Sequence, residues 1–253
     1  MGDRDRTLTQ RIETLSAVLI DEVSRRHAIE AVHSSAWPTV GTIAGHVAAV
    51  YGWVTTIVRT GAPASPSEVV LDDADMVTVL ADARSTLLDA LRGDDRECWI
   101  LGGGTGSTAF WRRRMVLETL KHVLDVRTAP GEPFAIAPEL DAATADDGID
   151  EFLAVFLARS RPTLVPLPGS VRLTATDLER SWLLGTDWSV TSDGSVQSDG
   201  ADAGSADAAI KGSAAALLLL LWERASALDE PDRFAVTGDR ELVRALQDSP
   251  IHP

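Results

Sequence analysis

Four stretches within the first 129 residues repeat apolar side chains at three- and four-residue intervals, and that rhythm restricts this half of the chain to packed amphipathic helices. The first, about Leu8 to Ala28, carries Leu8, Ile12, Leu15, Leu19, Ile20 and Val23. Thr42 to Arg59 carries Ile43, Val47, Val50, Val54 and Ile57, entered past Pro38 and Gly41 and closed by Pro63 and Pro66. About Asp73 to Leu91 follows with Met76, Val79, Leu80, Ala83, Leu87, Leu88 and Leu91, stopping at Gly93. The fourth runs from about Ser107 to Ala129, with Pro130 and Gly131 as its stop signal. Four such helices in succession predict an all-α bundle.

After Pro138 the pattern changes. Asp147-Gly148-Ile149-Asp150 opens a short helix through about Ala158. Leu164 to Ala175, Trp182 to Val190 and Ser195 to Gln197 then alternate or carry β-formers between turn residues, which predicts strands. Lys211 to Ser226 reads as a strongly apolar helix, Phe234 to Thr237 as a short strand and Asp239 to Gln247 as a last helix. The expected organisation is a helical domain over 1–145 and a smaller α/β domain over 146–253. From Ser192 to Ala208 the chain is rich in Ser, Asp, Gly and Ala, which suits a hairpin with loose turns or a disordered loop.

Composition narrows the function. A formal net charge of -15, with no Lys or Arg between Arg180 and Lys211, argues against a nucleic-acid partner. The longest apolar run, Ala214 to Trp222, is far short of a membrane span, and Met1 to Gln10 is polar, with no apolar leader core. Cys98 is the only cysteine, so neither an intrachain disulfide nor a thiolate cluster can form, which fits a reducing, cytoplasmic setting. Cys98 beside Trp99 has no nearby base and is expected to be a buried structural thiol.

The chemistry-bearing residues sit on the helices. Glu118 and His122 are four apart on one helix face, which sets them about 6 Å from each other. His46 lies on the second helix, and the three together meet the ligand count of a catalytic zinc site with one position left open. Glu and His four apart also occur on solvated helix faces. Here, however, His46 falls among Ile43, Val47 and Val50, and His122 follows Val116 and Leu117, so these groups would point into the bundle, where they need pairing or a metal.

Asp125, three residues past His122, suits the carboxylate that accepts the imidazole's second proton. Arg112, Arg113 and Arg114 open the fourth helix and could take a carboxylate bidentately, although three adjacent arginines fan over different faces. His27, His33 and His252 lack ligand-type partners at helical spacing and are not expected in the site. Leu101-Gly102-Gly103-Gly104-Thr105-Gly106 matches neither dinucleotide nor P-loop spacing and is expected to be a flexible loop at the bundle mouth.

Arg113-Arg114-Met115-Val116-Leu117-Glu118-Thr119-Leu120-Lys121-His122-Val123-Leu124-Asp125, followed by Ala129, Gly131 and Pro133, resembles the signature of the mycothiol-dependent maleylpyruvate isomerase family, within the DinB-like metal-dependent thiol transferases. Thr42-Ile43-Ala44-Gly45-His46-Val47 with Trp53 is similar to that family's first metal-ligand helix. Asp147-Gly148-Ile149-Asp150-Glu151-Phe152-Leu153 is similar to the start of its C-terminal part. Leu217 to Trp222 with Arg224, then Val236-Thr237-Gly238-Asp239, resembles the close of its sterol-carrier-protein-like domain. Leu117, Val123, Leu124 and Glu223 depart from the family pattern.

The resemblance implies an N-terminal DinB-like four-helix bundle followed by a sterol-carrier-protein-like α/β domain. It implies a divalent metal, usually zinc, on His46, Glu118 and His122, and mycothiol as cosubstrate toward a small electrophile. Arg113 and Arg114 would contact the cosubstrate, while Asp125 and Arg224 would serve catalysis, Arg224 at an anionic group. The reaction would be S-transfer or cis-trans isomerisation, by a monomer or small homo-oligomer. A metal-dependent hydrolase and a non-catalytic small-ligand-binding protein remain as alternatives.

Overall fold

The computed structural model describes residues 3–252 apart from 35, 68, 133 and 194–205, so the strand expected at Ser195 to Gln197 and the motif residue Pro133 lie outside the described residues. The chain divides into two compact units, Met1–Ala135 and Ile136–Pro253. The stretch 136–145, assigned to the first domain from sequence, opens the second unit.

In the first unit α1 (Asp3–Ser24) packs chiefly on α4 (Thr108–Arg127), and α2 (Val40–Thr60) on α3 (Met76–Leu91). The predicted stripes form the core: Ile12, Leu15, Leu19 and Val23 of α1 meet Leu120, Val123 and Val126 of α4 in the buried set, with Ile43, Val47, Val54 and Ile57 from α2. α2 begins at a capping box, in which Thr39 accepts from the Thr42 amide and Thr42 Oγ1 accepts from the Thr39 amide at 3.0 Å. By length and composition α2 is apolar enough to cross a membrane, yet 67% of that stretch is buried inside the unit, which accounts for its composition.

The glycine-rich stretch is more ordered than a flexible loop. β1 (Glu97–Trp99) pairs antiparallel with β2 (Thr105–Ser107), and Gly102, Gly103 and Gly104 make the turn at φ of 99°, 94° and 93°, a region other residues avoid. Cys98 on β1 is buried, and burial pushes its thiol pKa up, as a structural thiol requires.

The second unit is built on a five-stranded sheet of order β5-β4-β3-β6-β7. α5 (Ala142–Glu151), capped by Asp141, continues through a π-helical segment Phe152–Leu157 into α6 (Ala158–Ser160). The strands are β3 (Val171–Ala175), β4 (Arg180–Leu184), β5 (Val190–Asp193), β6 (Ala208–Gly212) and β7 (Ala235–Gly238), with α7 (Ala214–Leu221) and α8 (Arg240–Gln247). Among the described residues β3 and β6 alone pair in parallel, and the other strand pairs of this sheet are antiparallel.

Three strand or helix expectations are corrected here. Leu164 to Ala175 is strand only from Val171; the stretch before it carries Pro166, Pro168 and Gly169, which disfavour a strand ladder. Trp182 to Val190 is not one strand but a β4–β5 hairpin. Its turn is made by Gly185 to Ser189, with Trp188 at φ 62° and the Asp187 carboxylate accepting from the Ser189 amide at 3.0 Å. The apolar helix begins at Ala214, not Lys211, because Ser213 caps it and Ala208–Gly212 is a strand beside β3.

Candidate metal centre

α4 runs through the bundle with most of its length buried, yet it carries Arg114, Glu118, Lys121, His122 and Asp125 on that buried surface. Their spacings of three and four put them along one strip of the helix. Burying so many ionisable groups is costly unless each has a partner, and every one of them does. Arg114 donates to Glu118 Oε2, and Lys121 Nζ stands 3.3 Å from the same oxygen. Glu118 Oε1 is turned the other way, 3.0 Å from His46 Nε2 and 3.2 Å from His122 Nε2. His122 Nδ1 lies 2.9 Å from Asp125 Oδ2.

His46, Glu118 and His122 therefore each offer one ligand atom, all within 4.8 Å of one another. Sequence spacing predicted this trio, and the fold brings it together from α2 and α4. The donor set fits a divalent cation in its details. With Asp125 ionised, the proton of His122 sits on Nδ1 and the Nε2 lone pair is left for a metal, the carboxylate–histidine arrangement of zinc sites. Burial outweighs the Glu118 hydrogen bond and lowers the His46 pKa, which keeps that ring neutral and able to ligate. Burial acts to raise the Glu118 pKa, but Lys121, Arg114 and His122 outweigh it and hold the carboxyl well below its usual range.

Because both cations take Oε2, Glu118 presents Oε1 alone. That is a one-oxygen ligand, which leaves room for an exogenous group beside two histidines.

The remaining expected residues fall into place around the trio or away from it. Arg112 is structural: its guanidinium donates to the Leu91 carbonyl at 3.0 and 3.1 Å and to the Gly93 carbonyl at 3.1 Å, joining α4 to the end of α3. Arg113 is half-buried, and Arg114 is committed to Glu118. Arg224 belongs to the second unit, where its Nη1 donates to the Trp222 carbonyl at 2.5 Å. His27 pairs with Asp73 and His252 with Glu223, and the His33 ring meets Phe134 edge-on; none joins the trio.

Two features escaped the sequence reading. Trp37 stacks on His46 with ring centroids 3.8 Å apart and meets His122 edge-on at 5.3 Å, so it walls one side of the donor cluster. Beside it opens a cavity of ≈ 330 Å³ lined by Ala36, Trp37, Thr42, His46, Val69 and Val70. The available signal was a tryptophan in a polar loop directly ahead of Pro38 and the α2 cap, a costly place for an indole without a use.

Fold and donor set define a class of proteins that join a helical bundle bearing a three-ligand metal centre to a smaller mixed-sheet domain. Residues 21–127 match the family model for the mycothiol maleylpyruvate isomerase N-terminal domain, and residues 143–245 match that for the MDMPI C-terminal domain. The chain belongs to the mycothiol-dependent maleylpyruvate isomerase family. No curated protein matches it. Among solved structures it resembles the mycothiol-dependent maleylpyruvate isomerase at TM-score 0.62 and 13% identity, over 100% of this chain and 99% of that one. A histidine-to-alanine mutant of that isomerase matches at TM-score 0.61 and 12% identity over the same shares. At such identity the likeness speaks for the fold.

Proposed function

We propose that this chain is a mycothiol-dependent metalloenzyme that joins a low-molecular-weight thiol to an electrophilic carbon, as S-transferase or as cis-trans isomerase. The observation that carries the reading is the trio of His46, Glu118 and His122 donor atoms within 4.8 Å, opening beside a cavity. A divalent metal held there, zinc in our reading, would stabilise a thiolate at neutral pH.

The chain's own residues do the rest. His46, kept neutral by burial, and His122 supply Nε2 ligand atoms, and an ionised Asp125 holds the His122 proton on Nδ1. Arg114 and Lys121 fix Glu118 so that one oxygen faces the ligand position. Trp37 covers the His46 ring and shields that side from water. Cys98 is buried on β1 with a raised pKa, so the attacking sulfur comes from outside the chain. In this reading Arg113 contacts the cosubstrate and Arg224 an anionic group. The thiol sulfur bonds to one alkene carbon while the π pair moves to the other. Departure after rotation gives isomerisation, and retention with protonation gives the thioether.

Purified protein is assayed for metal content and for mycothiol loss with a general electrophile. One metal per chain, lost in His122→Ala together with thiol consumption, is the expected result. Wild type without stoichiometric metal, or turnover that persists when thiol is omitted, would sink the reading. An Arg224→Ala variant with unchanged kcat/KM would remove Arg224 from it.

A further inference from the structure

The wall of the cavity beside His46 is apolar where the chemistry of a dicarboxylate substrate would call for cations. We infer that the electrophile this chain takes is an uncharged, apolar alkene, held by Trp37, Val69 and Val70; the inference rests on the thiol-transfer reading above and leaves Arg224 no anionic group on the electrophile to bind.

None of the described residues lining the cavity is a Lys, Arg, Asp or Glu; its polar groups are His46, the Thr42 hydroxyl and the Trp37 indole N–H. The Thr42 hydroxyl is already spent in the α2 cap, donating to the Thr39 carbonyl at 2.7 Å and accepting from the Thr39 amide at 3.0 Å. The nearest buried cations, Lys121 and Arg114, are both committed to Glu118 Oε2. A carboxylate placed against Val69 and Val70 would lose water on that side and gain no cationic partner from the wall itself. The chain's net charge of -15 works in the same direction, because it repels anions rather than steering them in.

The valines are held in place by the backbone. A Cβ added to Gly45 would lie 1.7 Å from the Val69 carbonyl oxygen, and one on Gly41 would lie 2.4 Å from that of Leu71. Gly41 and Gly45, one helical turn apart on α2, thus let residues 69–71 lie directly against the helix that carries His46. Leu71 is buried and anchors the contact. Val69 and Val70 are left 46% and 79% exposed at the cavity. Paired exposed valines on a highly charged surface are unfavourable on their own, and an apolar ligand would cover them.

The test compares two activated alkenes with metal-loaded protein and excess mycothiol: 4-phenylbut-3-en-2-one, which is uncharged, and maleylpyruvate, which is a dianion. In the addition, sulfur bonds to the β carbon, and the α carbon takes the π pair and the proton the thiol gives up. We expect kcat/KM for the enone at least about tenfold above that for maleylpyruvate. Val70→Asp, exposed and so expected to fold, should lower the enone value about tenfold with metal content unchanged. A second readout uses metal-free protein and the unreactive 4-phenylbutan-2-one in calorimetry, where wild type binds and Val70→Asp binds more weakly.

Preference for maleylpyruvate, or an enone rate indifferent to Val70→Asp, overturns the apolar assignment and leaves the thiol-transfer reading intact. Failure of both alkenes to react, with no thioether formed and no maleylpyruvate isomerised, overturns the thiol-transfer reading instead. In that event the calorimetric arm still decides whether the cavity selects apolar ligands, and absence of ketone binding overturns that too.

Discussion

His122 donates from Nδ1 to Asp125 Oδ2 across one turn of α4, at 2.9 Å and with both side chains fully buried, and this single contact decides which imidazole nitrogen faces His46 and Glu118. Asp125→Asn keeps the shape but offers either a carbonyl or an amide to Nδ1, so the tautomer is no longer enforced. Zinc affinity should fall by roughly ten- to a hundredfold. Chelator competition measures the loss, and unchanged circular dichroism separates it from misfolding. An affinity within twofold of wild type would remove Asp125 from the site.

Glu118 has a second duty, because it neutralises Arg114 and Lys121, which are themselves buried. Glu118→Ala takes from these two buried cations the carboxylate they share. In metal-free protein it should destabilise folding by about 3–5 kcal/mol. His46→Ala removes a ring that is still partly exposed and leaves those ion pairs standing. It should abolish metal binding with a much smaller loss. Denaturant midpoints of both variants in chelator give the contrast; equal losses would contradict the division of roles.

The ligand trio was legible because each member sits on a helix with a regular apolar rhythm, and a rhythm places a side chain without knowledge of the rest of the fold. What lay in loops was not. Val69 and Val70 reach the cavity only because Gly41 and Gly45 admit a neighbouring backbone, a tertiary contact that no local pattern encodes. The start of the Ala214 helix was obscured for a related reason. Ala208-Ala209-Ile210-Lys211-Gly212 runs into an Ala- and Leu-rich helix without a change of texture, and only parallel pairing with β3 makes it a strand. Lys121 was passed over because a lysine on a helix is ordinarily a solvated residue, and its burial follows from α4 being enclosed by the bundle.

His27 and Asp73 form an exposed pair at 3.0 Å, between the turn after α1 and the residues that lead into α3. The hydrogen bond to Asp73, then its charge, raises the His27 pKa above the ordinary value. Because the folded value is the higher one, the pair's contribution is fully present below about pH 6.5, the unfolded reference. It is lost as pH rises through the folded pKa. Histidine titration followed by NMR should place His27 above the ordinary value, and Asp73→Asn should return it there. A wild-type His27 that already titrates at the ordinary value would refute the pairing in solution.

α7 ends in a Schellman turn: the Glu223 amide donates to the Leu220 carbonyl at 3.0 Å and the Arg224 amide to the Leu219 carbonyl at 2.8 Å. That geometry puts Glu223 at φ 62°, a left-handed conformation in which glycine is preferred and a Cβ costs about 1–2 kcal/mol. Glu223 does have one compensating contact, its carboxylate 3.1 Å from His252 Nδ1, but His252 is 75% exposed and such a surface pair is worth little. Glycine in the same place regains the strain and gives back some of it as unfolded-state entropy. Glu223→Gly should therefore stabilise the second unit by about 0.5–1 kcal/mol, read as a raised denaturation midpoint. A lowered midpoint would mean that the contact with His252 outweighs the backbone strain.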